Sequence, residues 1–313
     1  MRAFAFDAFG EPGSERDLPT PEPDEGQVRV RVAAASINPV DNAVVKGFMK
    51  DYMEHRFPLV PCSDLAGTVD AVGAGAEGFS VGDAVFGLVG KMVMGEGTLA
   101  EVATAAAGTI ARRPASLGEV EAAALPLAGV SALMSVDAAD PQPGDVVVVV
   151  GASGGIGSYA VQLAAARGAH VVAVTSPGRA EYVRSLGAEE VLDRTAGDVS
   201  EALRSEHPEG VAAIIDTASD TPALTRLSEA VRQGGTVTSM RGSAAGEELE
   251  KRGVKGVNIR TEVTTARLEH LSGLIDQGRL KSPHIRTFAL EQAGEALNAL
   301  SQGGVSGKLV VII

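Results

Sequence analysis

Cysteine is almost missing from this chain: its 313 residues include one, Cys62. A single thiol excludes an intrachain disulfide and a zinc lobe built on four cysteines. Positive charge is scarce as well. Lys and Arg number 27 against 40 Asp and Glu, a net charge of −13 with a pI near 4.9, and no Lys/Arg cluster interrupts that balance. Such a surface repels a phosphate backbone, so nucleic acid is not an expected partner, and an anionic cofactor needs local help to bind. No apolar run approaches the roughly 18 residues that cross a bilayer, so no membrane segment is expected. The opening MRAFAFDAFG carries no basic region followed by a long apolar stretch and a small-residue cleavage site. The expected location is therefore cytoplasmic.

What is present suits a globular α/β protein of two domains, since a chain of this length is too long for one small core. From Gln27 to Val32 the residues QVRVRV alternate apolar and polar, the period of a half-buried strand, and Gly/Pro turns are dense up to about Gly108. Next, EVEAAALPLAGVSALMSVDAAD reads as helical with one early proline. Beyond it, short apolar runs at Val146–Val150, His170–Val174, Val211–Ile215 and Thr236–Ser239 are separated by helix-length segments, the pattern of a buried parallel sheet. The last section, with IRTFAL, a helix near Glu291–Leu300 and GKLVVII, returns to strand character and is expected to rejoin the N-terminal domain.

The strongest local signal is DVVVVVGASGGIGSYAVQLAAARGA. Five valines make a buried strand, a glycine turn follows, and Ile156, Ala160, Leu163 and Ala164 mark one face of a helix that Gly168 is placed to stop. Ala152, Gly154 and Gly157 form an A-x-G-x-x-G variant of the dinucleotide fingerprint. The cradle Ala152, Ser153, Gly154, Gly155, Ile156 and Gly157 would set a pyrophosphate against the N–H groups and partial positive charge of a helix N-terminus. A tight strand-to-helix turn without a ligand is the alternative, but strand, turn, helix and strand in this order is the context the motif demands. About 20 residues on, an NAD-binding protein places an acid against the ribose 2′-hydroxyl. Here stand Val174, Thr175, Ser176 and Pro177, with Arg179 and Arg194 nearby. No carboxylate repels a 2′-phosphate, and Thr175, Ser176, Arg179 and Arg194 are the residues to receive one, so NADP(H) is the expected cofactor. Arg179 has the alternative role of capping a surface helix.

The ordered series ASINPVDN, PLVPCSDLAGTVDAVGAGAEGFSVGDAVFG, AAALPLAGVSAL, PGDVVVVVGASGGIGSYAVQLA, RSLGAEEVLD and GKLVV resembles the zinc-independent quinone oxidoreductases of the medium-chain dehydrogenase/reductase superfamily, over nearly the whole chain. That resemblance implies a GroES-like β-rich catalytic domain from residues 1–118 and 282–313 and a Rossmann doubly wound parallel-sheet domain at 119–281. It also implies an active site in the cleft between them and a homodimer joined through the Rossmann sheet. Zinc-containing relatives have a cysteine where this chain has Asn38, a histidine where it has Ser63, and a further ligand near Leu127. Cys62, His55 and Asp64 are the local alternatives, but they lack metal-ligand spacing. No catalytic metal is expected; Cys62 is read as a packed core or cleft thiol, and His55 as a surface loop residue.

Without a Lewis acid, the alkoxide of a reduced ketone is poorly stabilised. Charge delocalised over an enolate or a quinone needs only one or two hydrogen bonds of roughly 1.5–3 kcal/mol each. The expected reaction is hydride transfer from NADPH to a quinone or to the C=C bond of an unsaturated carbonyl compound. Asn38 is read either as a hydrogen-bond partner of the substrate oxygen or nicotinamide ribose, or as a turn residue before Pro39. Asp41 resembles the family's aspartate in NPVD and is read as a turn cap in preference to an acid/base residue. The resemblance places Ser131, where relatives usually have threonine, beside the nicotinamide, with Leu127 and Val130 against its ring; Ala43 stands where many relatives have a tyrosine. KGFMKDYMEHRFP, Met92 and Met94 are candidate pocket residues, and Tyr52 a candidate proton donor. Two other readings stay open: a zinc-free ketone reductase using Tyr52 or Ser63 as its acid, and a non-catalytic NADPH-binding protein.

Overall fold

The computed structural model describes residues 1–90, 93–244 and 246–313. They divide into two compact units, one made of Met1–Leu127, Val263–Gly278 and Ser282–Ile313, the other of Ala128–Glu262 with Arg279–Lys281. The sequence-based division at 119–281 differs from this at both ends, for a packing reason. The helix Glu119–Ala123 buries Ala122 and Ala123 and lies on the strands Gln27–Ile37 and Asp64–Val72, while the helix Thr265–Asp276 packs on the strand Ile110–Arg112.

The first unit is built on a seven-stranded sheet. Its path runs Ile285–Ala289, Lys308–Ile312, Gln27–Ile37, Asp64–Val72, Ala84–Leu88 and Ile110–Arg112, with Val102–Ala106 pairing Gln27–Ile37 off that path. The alternation of QVRVRV is expressed directly: Val28, Val30 and Val32 enter the core while Gln27, Arg29 and Arg31 turn away from it. The C-terminal strand lies antiparallel to Gln27–Ile37, with Leu309 opposite Ile37, so the last residues do complete the N-terminal sheet.

In the second unit six strands form an all-parallel sheet in the order Glu190–Asp193, His170–Thr175, Val146–Val150, Val211–Asp216, Val231–Ser239, Lys255–Asn258. Numbered along the chain that order is 3-2-1-4-5-6, the doubly wound arrangement whose ligand site lies outside the carboxyl ends of the strands. Val147, Val148 and Val149 are fully buried, as a strand covered on both faces requires. The stretch read as one long helix is two, Glu119–Ala123 and Pro126–Ala139. Proline cannot donate to the preceding turn and forces the residue before it out of the helical region, so the break falls at Ala124–Leu125. Among the described residues no helix is long and apolar enough to cross a membrane.

Candidate active site

The glycine turn of the second unit leaves Val150 at the carboxyl edge of the sheet and enters the helix Gly155–Ala166. Gly151 takes φ +75°, which a side chain would strain. A Cβ on Gly157 would sit 2.2 Å from the Gly151 carbonyl oxygen, so the helix reaches this depth only with glycine there. No side chain caps the helix at Gly154, which leaves its first N–H groups for an anion. These features fit a dinucleotide pyrophosphate. Around the turn, Thr175 Oγ1 donates to Ser153 Oγ at 2.8 Å, Ser158 Oγ to the Gly154 carbonyl at 2.7 Å, and the Tyr182 hydroxyl to Ser158 Oγ at 3.0 Å. Arg194 Nε donates to Ser176 Oγ at 3.0 Å, and its own N–H bonds the Thr175 carbonyl at 2.9 Å. Arg179 closes the short turn Pro177–Arg179 beside them. Ser131, buried on the helix Pro126–Ala139, pairs its hydroxyl with that of Thr261 at 2.6 Å. Sequence reading missed Thr261, and it also missed Asp216. That carboxylate ends the strand Val211–Asp216, where it pairs in register with Val150; it is fully buried, with Oδ1 accepting the Ala218 and Ser219 N–H groups and Oδ2 unpaired.

In the first unit one catalytic candidate, Asn38, lies in a buried polar network with Asp64 and Lys308. Asn38 stands at the junction of the strand Gln27–Ile37 and the helix Pro39–Val45. Its Nδ2 donates to Asp64 Oδ2 at 2.8 Å, and its Oδ1 accepts from Lys308 Nζ at 2.5 Å. Lys308, only 4% exposed, also donates to the Ile37 carbonyl at 3.2 Å and lies 3.7 Å from Asp64 Oδ2. Asp64 accepts further from Ser36 Oγ at 2.9 Å and the Leu127 N–H at 3.0 Å. Burial pushes the Asp64 carboxyl up and the Lys308 ammonium down, yet three donors on one group and two acceptors on the other favour the charged pair. Asp41 accepts the Asn38 N–H at 2.6 Å and so closes the first turn of that helix.

Asp41, Cys62, Ser63, Val44, Val60 and Met94 line a cavity of about 90 Å³. Cys62 sits there at φ +71°, a conformation rare for a side-chain-bearing residue. Tyr52 is 80% exposed and not among the lining residues, and Met92 lies outside the described residues. His55 belongs to the strand Glu54–Val60 and packs edge-on against Phe9, at 5.0 Å between rings, which corrects its reading as a loop residue.

Two family models match the chain: the alcohol dehydrogenase GroES-like domain over residues 24–115 and the zinc-binding dehydrogenase over residues 155–266. Over 99% of its length the chain is 31% identical to the chloroplast envelope quinone oxidoreductase homolog of Arabidopsis thaliana, covering 98% of that relative. The chain belongs to the medium-chain dehydrogenase/reductases and is quinone oxidoreductase-like. This quinone oxidoreductase-like protein is also 29% identical to the 2-methylene-furan-3-one reductase of Solanum lycopersicum, over 99% of its own chain and 79% of the relative. Its fold matches the quinone oxidoreductase structure from Coxiella burnetii with a TM-score of 0.89 at 28% identity, over 100% and 99% of the two chains. Its coarse activity follows with the family: it is an NAD(P)H oxidoreductase.

Proposed function

We propose that this protein is a zinc-independent, NADPH-dependent reductase that transfers a hydride to a quinone or to the C=C bond of an α,β-unsaturated carbonyl compound. The observation that carries the reading is the Lys308–Asn38–Asp64 network. Zinc takes deprotonated N, S or O ligands in a tetrahedral shell. In this network the Asn38 oxygen is occupied by an ammonium, the Asp64 carboxylate already accepts three hydrogen bonds, and burial pushes the Cys62 thiol well above its usual value. This donor set does not fit a zinc ion. The one group of described residues spaced for a metal, Glu190, Glu206 and His207, lies in the second unit. Glu190 opens its parallel strand there, whereas the glycine turn follows the carboxyl end of Val146–Val150.

When bound, the dihydronicotinamide supplies the hydride. The chain's part is to hold the pyrophosphate at Gly154–Gly157, to supply Ser176 and the arginines to a 2′-phosphate, and to keep the acceptor in a site where delocalised charge needs no Lewis acid. Asp193, the carboxylate nearest this edge in the sheet register, accepts both the N–H and the hydroxyl of Thr195, at 2.8 and 2.7 Å. That engagement supports NADPH over NADH. The names of the relatives point the same way for the acceptor: one is a quinone oxidoreductase homolog, the other a reductase named for a ketone conjugated to a methylene group.

The deciding experiment follows oxidation of NADPH and NADH in metal-free buffer with chelator, with a 1,4-quinone, an unsaturated ketone and a saturated ketone as parallel acceptors. Turnover of quinone or enone with NADPH, unchanged by chelator, is the expected result; turnover of the saturated ketone alone, or loss of activity on chelation, would overturn the reading. Arg194→Ala and Arg179→Ala are each expected to weaken NADPH by roughly tenfold to a hundredfold, the value of one charge-assisted hydrogen bond, and to leave NADH nearly unchanged. Equal loss for both cofactors removes the 2′-phosphate assignment.

A further inference from the structure

Hydride transfer supplies two electrons and one hydrogen nucleus, so the acceptor still needs a proton. The cavity of the first unit has one group placed to hold it. Four titratable side chains face one another around Asn38: Asp64 and Lys308 from the two strands that flank Gln27–Ile37, Cys62 from the turn before Asp64, and Asp41 from the helix. Counting charge identifies the odd member. Lys308 and Asp64 neutralise each other, the thiol keeps its proton in this buried setting, and Asp41 is left as a surplus carboxyl with no cation of its own. An unpaired ionised carboxylate in the interior is far more costly than a neutral one.

We propose that Asp41 is the proton reservoir of the reduction, carrying an acidic proton into the cavity it shares with Cys62 and Ser63. This inference rests on the reductase reading above. A bound dihydronicotinamide would supply the hydride; the part of this chain is the proton, as the Asp41 O–H bond breaks and a new O–H bond forms on the quinol or enol oxygen of the reduced acceptor. The Asp41 carboxylate that remains is stabilised by the Asn38 N–H and by the Cys62 thiol, which hydrogen-bonds to it. It is then reprotonated by water. Desolvation, with the Asp64 charge adding to it, lifts the Asp41 carboxyl to about 7, against the Asn38 N–H and the Lys308 charge, which act to lower it. That places the acid in the range where a donor works best.

The test compares the wild-type protein with Asp41→Asn, using NADPH and a 1,4-quinone from pH 5.5 to 9. Asparagine preserves the acceptor for the Asn38 N–H and removes the proton. For wild type, kcat/KM is expected to fall about tenfold per pH unit above about pH 7; in Asp41→Asn that limb is expected to vanish, with kcat at pH 6 reduced at least tenfold. A limb that persists in Asp41→Asn overturns the proposal while leaving the reductase reading intact; a wild type that turns over no acceptor overturns both. Should the variant fail to fold, pH-difference infrared spectra of the wild-type protein decide. A buried protonated carboxyl band that is lost as pH rises past about 7 supports the proposal, and its absence at pH 6 rejects it.

Discussion

Lys308→Met is expected to destabilise the first unit by about 3–5 kcal/mol at pH 7, the cost of removing one partner from a buried ion pair. The side chain is 4% exposed and Asp64 is fully buried, so water cannot take over the lost ammonium. The methionine fills the aliphatic path, but the Asn38 oxygen and the Ile37 carbonyl lose their donor, and Asp64 keeps its charge beside Asp41 without a cation. At roughly 2–4 °C per kcal/mol for a unit of this size, the melting temperature falls by about 6–20 °C. Chemical denaturation of the single variants and of Lys308→Met/Asp64→Asn checks the cause. If the pair is the origin, removing the second charge restores part of the loss, a coupling of opposite sign to the single effects. Additive losses would place the damage in packing instead. Because acid neutralises the stranded carboxyls, the deficit should also be smaller at pH 5 than at pH 8.

The same network shows where the sequence was legible and where it was not. The glycine turn could be read because its signal is local: five valines, three small residues at fixed spacing and a helical face lie within one stretch, and each reports its own geometry. The strands Val146–Val150 and His170–Thr175 followed from the same apolar runs. Glu190–Asp193 and Lys255–Asn258 escaped because EVLD and KGVN have too few apolar residues to stand out; they are strands through pairing with neighbours, not through propensity. Asn38 could be singled out by its place in the motif, but its amide partners could not, since Lys308 is 270 residues away along the chain. A lysine inside GKLVVII was the available clue, because a charge in a strand otherwise buried needs a partner. Tyr52 is the opposite case: its chemistry suits a proton donor, but its exposure is set by a turn whose course no local pattern reports, and the side chain stands in solvent.

Stability should fall as pH rises from about 4 to about 7, and Asp41→Asn should remove that slope. The sign follows from the carboxyl at Asp41, which is raised to about 7 in the folded chain, whereas an unfolded aspartate titrates near 3.9. Between those values the folded state holds a proton that the unfolded state has released, so the unfolded state binds fewer protons and stability declines by about 1.4 kcal/mol per pH unit. The contribution is present in full below about pH 4 and is lost as pH passes through the folded value of about 7. Over about three units the swing reaches about 4 kcal/mol. His170, which Glu189 and Glu190 raise against desolvation, also loses stabilisation as pH rises, above the ordinary imidazole range. The difference between wild type and variant isolates Asp41. Denaturant melts at pH 5, 6, 7 and 8 should show Asp41→Asn less stable than wild type at the acid end, where the neutral aspartic acid keeps its hydrogen bonds, with the gap closing or reversing by pH 8. Parallel curves for the two proteins would mean that Asp41 is already ionised at pH 5, stabilised by the Asn38 N–H and by Lys308 more strongly than burial opposes it.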